Sequence, residues 1–141
     1  RSWVKDMAEF DGRKPRRYAS VDDAVKRMLE ENPHLTAEMA RHLTVHASRK
    51  NDDGTLSWKF DNYVRLRSPY EFNIAEAREL WNQIRCPVLL IRGSESWGTD
   101  PEADGKASAF HDYRTELVKD AGHWVHHDQL DKFMEIVWGF L

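Results

Sequence analysis

Two short stretches of the chain carry side chains suited to chemistry, and each follows a predicted strand. Glu95 comes soon after the apolar run Val88–Arg92, which predicts a first strand. His123 stands in the sequence Ala-Gly-His-Trp (121–124), after a second strand predicted at 114–118. An imidazole changes protonation near neutral pH, so it can accept and return a proton during a reaction. Because open α/β sheets place their chemistry beyond the carboxyl ends of strands, both stretches are candidate sites.

The elements around these two stretches predict a small parallel sheet. The pattern after residue 84 is strand (88–92), loop, helix (102–111), strand (114–118), loop, helix (128–140). A βαβα order predicts parallel strands joined by right-handed crossovers. Two strands leave an edge unpaired and cannot cover a strand that is apolar on both faces. We therefore expect either a second copy packed on this chain or, as the favoured reading, that the chain is the back part of a larger domain.

The first 84 residues have a different character, because they read mainly as short amphipathic helices. Ser20, Thr36 and Asn73 are predicted to cap three of these helices, since each side chain can accept a hydrogen bond from a first-turn amide. A short extended segment is predicted at 55–60, where polar and apolar residues alternate. In the final helix, five residues are predicted to dock on the sheet: Leu130, Phe133, Met134, Val137 and Phe140.

Composition excludes several classes of function. A length of 141 residues suits one domain, and a net charge of −3 provides no basic footprint for nucleic acid. The single cysteine, Cys86, excludes an internal disulfide and fits a reducing compartment, hence a cytoplasmic location. Membrane partners are not expected, because no apolar run approaches the roughly 20 residues that span a bilayer. The chain begins at Arg1 rather than Met, and the sequence leaves open whether Arg1 is a true terminus.

Two motifs point to a known fold. The first is Cys-Pro-Val-Leu-Leu-Ile-Arg-Gly-Ser-Glu-Ser (86–96), and the second, within 120–133, has the pattern Ala-Gly-His-Trp-x-x-x-acid-Gln. With them, the stretch from Ile84 to Leu141 resembles the carboxyl-terminal third of the α/β-hydrolase fold. The resemblance implies an incomplete α/β-hydrolase fold. In it, residues 1–84 would form a helical lid, and residues 85–141 would supply the last two parallel strands and their helices.

The resemblance also implies a reaction and two site residues. It implies a hydrolase acting on a small ester, amide or related carbonyl substrate by a Ser-His-acid mechanism, with His123 as general base. Glu95 is the carboxylate nearest to the place of the triad acid, although the expected position itself holds Ser96 or Trp97. Asp100 is a second choice, and an acid after an earlier strand outside the chain stays open. Three tryptophans are candidates for lining an apolar pocket: Trp58, Trp81 and Trp97.

The nucleophile that this mechanism requires is missing. The sequence contains no Gly-x-Ser-x-Gly elbow. Ser96 imitates one, but Gly98 and then Asp100-Pro101 follow it where the elbow needs a helix. The nucleophile is therefore expected outside this chain, and no cofactor is implied. A non-catalytic binding or interaction module derived from a hydrolase is the alternative.

Histidine pairs raise the question of a metal. His42 and His46 lie one helical turn apart, and His126 and His127 follow His123 closely. Zinc sites need three or four ligands, and neither group has cysteines or carboxylates at ligand spacing. We expect solvated or partly packed histidines and no metal, with His126 and His127 near the start of the last helix.

Overall fold

The computed structural model describes residues 3–11, 14–66 and 68–141, and only the backbone of residues 11, 62 and 65. The chain divides into two compact units, of which the first ends at Phe72 and the second begins at Asn73. Within the described residues, no helix is both long enough and apolar enough to cross a membrane.

The first unit consists of three helices and a small hairpin. Its elements are α1 (Trp3–Asp11), α2 (Val21–Glu31), α3 (Ala37–Ala47), the antiparallel strands β1 (Ser48–Lys50) and β2 (Leu56–Trp58), and a 3-10 turn (Asn62–Arg65). The predicted caps are confirmed, since Ser20 accepts from the amide of Asp23 and Thr36 from that of Met39. Helix α2 packs on α3, and their contact buries small residues completely: Ala24, Ala40 and Thr44.

The second unit contains the predicted parallel sheet. Its elements are α4 (Ile74–Trp81), β3 (Val88–Gly93), β4 (Tyr113–Val118), α5 (Val125–Asp128) and α6 (Leu130–Phe140). Strands β3 and β4 run parallel, with Val88 opposite Tyr113 and Gly93 opposite Val118. The side chain of Asn73 caps α4 as predicted. Helix α4, assigned by sequence to the lid, lies in this unit, and the lid boundary at residue 84 stays a prediction.

The connection between β3 and β4 differs from the prediction. The helix predicted at 102–111 is wrong, because only a three-residue 3-10 helix, Ala107–Ala109, forms there. Asp104 accepts from the amide of Lys106 at 3.0 Å, which a helix over 102–111 would have bonded to the carbonyl of Glu102, and Gly105 has a left-handed backbone with φ of 72°. Aspartate favours such local turns over a helix interior. The last helix is also shorter than predicted, because Gln129 separates α5 from α6.

The core of the second unit lies between its sheet and α6. The buried cluster comprises Val118, Ala121, Val125 and Ile136, with Leu89, Ile91 and Phe133 packed against it. Ile136 was missing from the predicted docking face, whereas Leu130 and Met134, which were included, are exposed. Trp138 is also exposed and lies one turn beyond Met134, so α6 carries a second, uncovered apolar stripe.

Strand β3 is less covered than its sequence predicts. Residues 88–92 are only half-buried, although four of the five are apolar. In the part of the chain that the structure describes, β4 pairs with one edge of β3 and no strand pairs with the other. An apolar strand with an unpaired edge is typical of an inner strand of a larger sheet.

Candidate active site

The loops that follow β3 and β4 meet through their backbones. The amide of Ser94 donates to the carbonyl of Val118 at 2.8 Å, and that of Glu95 donates to the carbonyl of Ala121 at 2.9 Å. Gly93 lies at the closest point, where an added Cβ would stand 2.1 Å from the carbonyl oxygen of Gly122. No real Cβ approaches an oxygen so closely, so the junction requires glycine.

Side chains of Asp128 and Gln129 bind the backbone of the turn that carries His123. Asp120 has a left-handed backbone with φ of 55°, so the sharp bend before His123 lies at Asp120. The buried carboxylate of Asp128 accepts from the amide of Gly122 at 2.8 Å. The side-chain amide of Gln129 donates to the carbonyl of Asp120 at 3.0 Å. These contacts explain the acid-Gln pair of the second motif, whose structural role the sequence alone did not reveal.

His123 is exposed, and its ring is engaged by a residue of the other loop. The hydroxyl of Ser96 lies 3.0 Å from Nδ1 of His123. The same oxygen accepts from the amide of Gly98 at 3.1 Å. The sequence predicts the place of the acid at position 96 or 97, and in the structure both Ser96 and Trp97 contact the imidazole.

The predicted acid and its fallback lie elsewhere in the loop. Glu95 is exposed, and its carboxylate accepts from the hydroxyl of Ser94 at 3.4 Å. Asp100 is committed to capping the following turn through Oδ1. Glu95 as the triad acid stays a prediction. Ser96 does not stand on a strand-to-helix elbow, because residues 97–106 form turns and bends.

Aromatic rings surround the imidazole. Trp97 stacks on His123 with ring centroids 3.9 Å apart and planes inclined by 24°, and Trp124 meets the ring edge-on at 5.5 Å. Of the other predicted pocket tryptophans, Trp81 stacks on Phe110 in the same unit. Trp58 contacts Tyr18 within the first unit. Trp97 is thus the predicted pocket residue that lies at His123.

Four of the other histidines form two neighbouring pairs. The rings of His126 and His127 lie 4.0 Å apart, and those of His42 and His46 lie 4.6 Å apart. Burial lowers the pKa of His127, and the neighbouring charge of His126 lowers that pKa further. Among the described residues, no three histidine, cysteine or carboxylate side chains stand close enough together to hold a metal ion.

A pocket of about 390 Å³ opens along β3 beside His123 and Ser96. Its wall includes Leu89, Leu90 and Ile91, which are consecutive residues that point to alternate faces of the sheet. A hollow lined in this way follows the edge of a strand. The pocket therefore coincides with the unpaired side of β3, where a neighbouring strand would lie, and does not by itself indicate a substrate.

Comparison with known proteins identifies the fold. No family model matches the chain. Esterase Rv0045c of Mycobacterium tuberculosis is 31% identical over an alignment covering 77% of this chain and 36% of that esterase. A solved structure of that esterase superimposes with a TM-score of 0.78 at 22% identity, covering 99% of this chain and 47% of the other. The chain has part of the α/β-hydrolase fold.

Two further solved structures agree with this α/β-hydrolase fold. The thioesterase domain from the curacin biosynthetic pathway gives a TM-score of 0.74 at 18% identity, with 96% of this chain and 48% of that chain covered. E-2-(acetamidomethylene)succinate hydrolase gives 0.72 at 16% identity, with 98% and 51% covered. The chain thus spans about a third of its curated relative and about half of each solved chain. The predicted incomplete α/β-hydrolase fold is confirmed.

Proposed function

We propose that this chain is the carboxyl-terminal portion of a hydrolase that acts on a small ester, amide or related carbonyl substrate. The supporting observation is the exposed imidazole of His123, held on a packed turn at the carboxyl end of β4 in an α/β-hydrolase fold. Relatives described as esterases, a thioesterase and a hydrolase support the reaction class. The cytoplasmic location proposed for the protein rests on its single cysteine, Cys86.

In the proposed mechanism, His123 takes the proton from a serine hydroxyl as that oxygen attacks the substrate carbonyl. It then returns the proton to the leaving group, so the acyl group passes to the serine and finally to water. Nε2 is the nitrogen suited to this exchange, because Nδ1 faces Ser96. Glu95 is the predicted acid that would orient the imidazole within this chain.

The serine nucleophile and its oxyanion donors are proposed to lie in a polypeptide segment outside this chain, since the chain has no elbow motif. That segment, in the same polypeptide or in a second chain, would supply strands that pair with the free edge of β3. The half-buried apolar residues 88–91 and the pocket beside them support this proposal, because a further strand would cover both.

Two measurements test the proposed function. The intact mass of the native protein should exceed that of the 141-residue chain, with the additional residues, once sequenced, containing a serine elbow, or a tightly bound partner chain should provide one. In that complete protein, His123→Ala should abolish turnover of a simple aryl ester, because no base would remain to activate the serine. His46→Ala, which removes an exposed imidazole from α3, is the matched control and should leave turnover unchanged. Unchanged turnover in His123→Ala would remove His123 from the mechanism.

A non-catalytic binding module is the second candidate. It is favoured by one observation, namely that a hydroxyl rather than a carboxylate is hydrogen-bonded to Nδ1 of His123. A native protein that truly begins at Arg1 and purifies without a partner chain would favour this candidate, since a histidine without a nucleophile cannot form an acyl intermediate.

A further inference from the structure

The loop after β3 delivers Ser96 to His123 through backbone contacts. Its residues 94 and 95 continue the pairing with the segment after β4, as described above, and the amide of Ser96 donates to the carbonyl of Gly93 at 3.1 Å. Both ends of this turn are thereby fixed relative to the turn of His123. The backbone of Ser96 is thus held beside the turn of His123, and in the observed rotamer its hydroxyl reaches Nδ1.

The surroundings of the Ser96 oxygen allow it to accept a hydrogen bond from Nδ1 of His123. The amide of Gly98 donates to this oxygen and leaves it a further lone pair toward Nδ1. Gly98 also keeps the space open, since a Cβ there would lie 3.3 Å from the hydroxyl and 3.5 Å from Cε1 of His123. An Nδ1–H donated to Ser96 leaves Nε2 unprotonated, whereas a proton on Nε2 would leave no basic nitrogen facing a substrate.

A hydroxyl can orient an imidazole but carries no charge to balance an imidazolium. The indole face of Trp97, which stacks on the ring at 3.9 Å, provides an attraction for a cation that a hydroxyl lacks. Trp97 is itself 77% exposed, so burial in the core does not account for its position. Together, the two neighbouring residues cover the two tasks of a triad carboxylate, which are orientation of the ring and stabilisation of its charge.

We propose that Ser96 is a positioning residue that holds His123 in its Nδ1–H tautomer in place of the triad acid, while Trp97 stabilises the protonated ring. The link to catalysis rests on the proposed function, but the tautomer is a property of the folded chain alone. Glu95 is the competitor, because a rotated Glu95 carboxylate would be the conventional partner of Nδ1.

The test is the tautomer of His123, measured by ¹⁵N–¹H correlation spectra of the protein labelled at histidine nitrogens. The His123→Gln variant assigns the resonance among seven histidines. At a pH where the imidazole is neutral, the wild type should show Nδ1 protonated and Nε2 unprotonated. Ser96→Ala should shift His123 toward the Nε2–H tautomer that free imidazoles prefer, and Ser96→Thr, which keeps the hydroxyl, should restore the wild-type pattern.

One control variant and one variant of Glu95 decide whether Ser96 or Glu95 orients His123. Ser108→Ala removes an exposed hydroxyl that donates to the carbonyl of Gly105, and it should leave the His123 signals unchanged. Glu95→Gln should also leave the tautomer unchanged. The proposal is overturned by a wild-type Nε2–H tautomer, by an unchanged tautomer in Ser96→Ala, or by a shift in Glu95→Gln. If Ser96→Ala does not fold, the wild-type and Glu95→Gln spectra still decide the question. Because no substrate is used, loss of the hydrolase assignment would not affect this result.

Discussion

The two loops at the carboxyl end of the sheet are held by different means. In the loop after β4, Ala121 and Gly122 are buried, and the carboxylate of Asp128, the anchor of this loop, reaches back to the amide of Gly122 from the helix that follows. The loop after β3 carries exposed side chains, including Trp97, and it contacts the other loop through backbone hydrogen bonds, through the hydroxyls of Ser94 and Ser96, and through the stacking of Trp97 on His123. We expect the buried residues and Asp128 to hold the backbone of His123 in place, and Ser96 and Trp97 to orient its ring. The position of the His123 backbone therefore depends on packing, and the orientation of its ring depends on the side chains of Ser96 and Trp97.

The largest effect on the free energy of unfolding is expected at Gly93, where the two loops are in contact. Gly93→Ala would place a Cβ within 2.1 Å of the Gly122 carbonyl, so the loops must separate. We expect a loss of about 3 kcal/mol or more in the free energy of unfolding, as for severe overpacking. Urea unfolding followed by circular dichroism measures the loss. Gly139→Ala in α6 is the matched control, because its Cβ meets nothing within 4 Å, and it should not destabilise the protein.

Removing the buried anchor should have the next largest effect. Asp128→Ala leaves the buried amide of Gly122 without its carboxylate partner, which we expect to cost ~1–3 kcal/mol in the free energy of unfolding. Asp131→Ala, which removes an exposed carboxylate from the first turn of α6, should cost less than about 1 kcal/mol. Equal losses in the two variants would show that the turn of His123 does not depend on Asp128.

These contacts also explain what the sequence could predict. Apolar runs and capping residues act locally, so β3, β4 and the caps Ser20 and Thr36 were predictable. The helix predicted at 102–111 does not form, because Asp104 binds the amide of Lys106 and Gly105 has a left-handed backbone. The motif around His123 indicated the site, but its partner Ser96 lies 27 residues away, and their contact depends on how two loops meet. The acid at position 128, six residues after Gly122, was visible in the sequence. Its role as the hydrogen-bond acceptor for the amide of Gly122 depends on the path of α5, which the sequence does not predict.

A smaller, pH-dependent effect should come from His127, which lies in α5 beside the anchor. Because burial lowers the pKa of His127, the unfolded chain takes up a proton first as the pH falls below about 6.5. The free energy of unfolding should therefore decline as the pH falls from 7.5 toward 5. His127→Gln removes this contribution, so its decline should be shallower in urea titrations at several pH values. Parallel pH profiles for the two proteins would contradict this prediction.

The smallest effect is expected in the exposed loop. Trp97→Leu should leave the free energy of unfolding within about 0.5 kcal/mol of wild type, because Trp97 is 77% exposed. The hydrogens on the His123 ring should nevertheless move downfield in the proton spectrum, since the ring current of the stacked indole is lost. Leu130→Ala, at another exposed apolar residue, should not move these resonances. An unchanged His123 spectrum in Trp97→Leu would mean that the stack does not persist in solution.

The free edge of β3 has a practical consequence for handling the protein. Val88, Leu89, Leu90 and Ile91 form a β-prone, uncharged run whose outer backbone groups meet no strand in the described part of the chain. A second copy can pair with such an edge and continue the sheet from molecule to molecule. The isolated chain should therefore self-associate as its concentration rises, and a soluble preparation should depend on covering or charging this one edge.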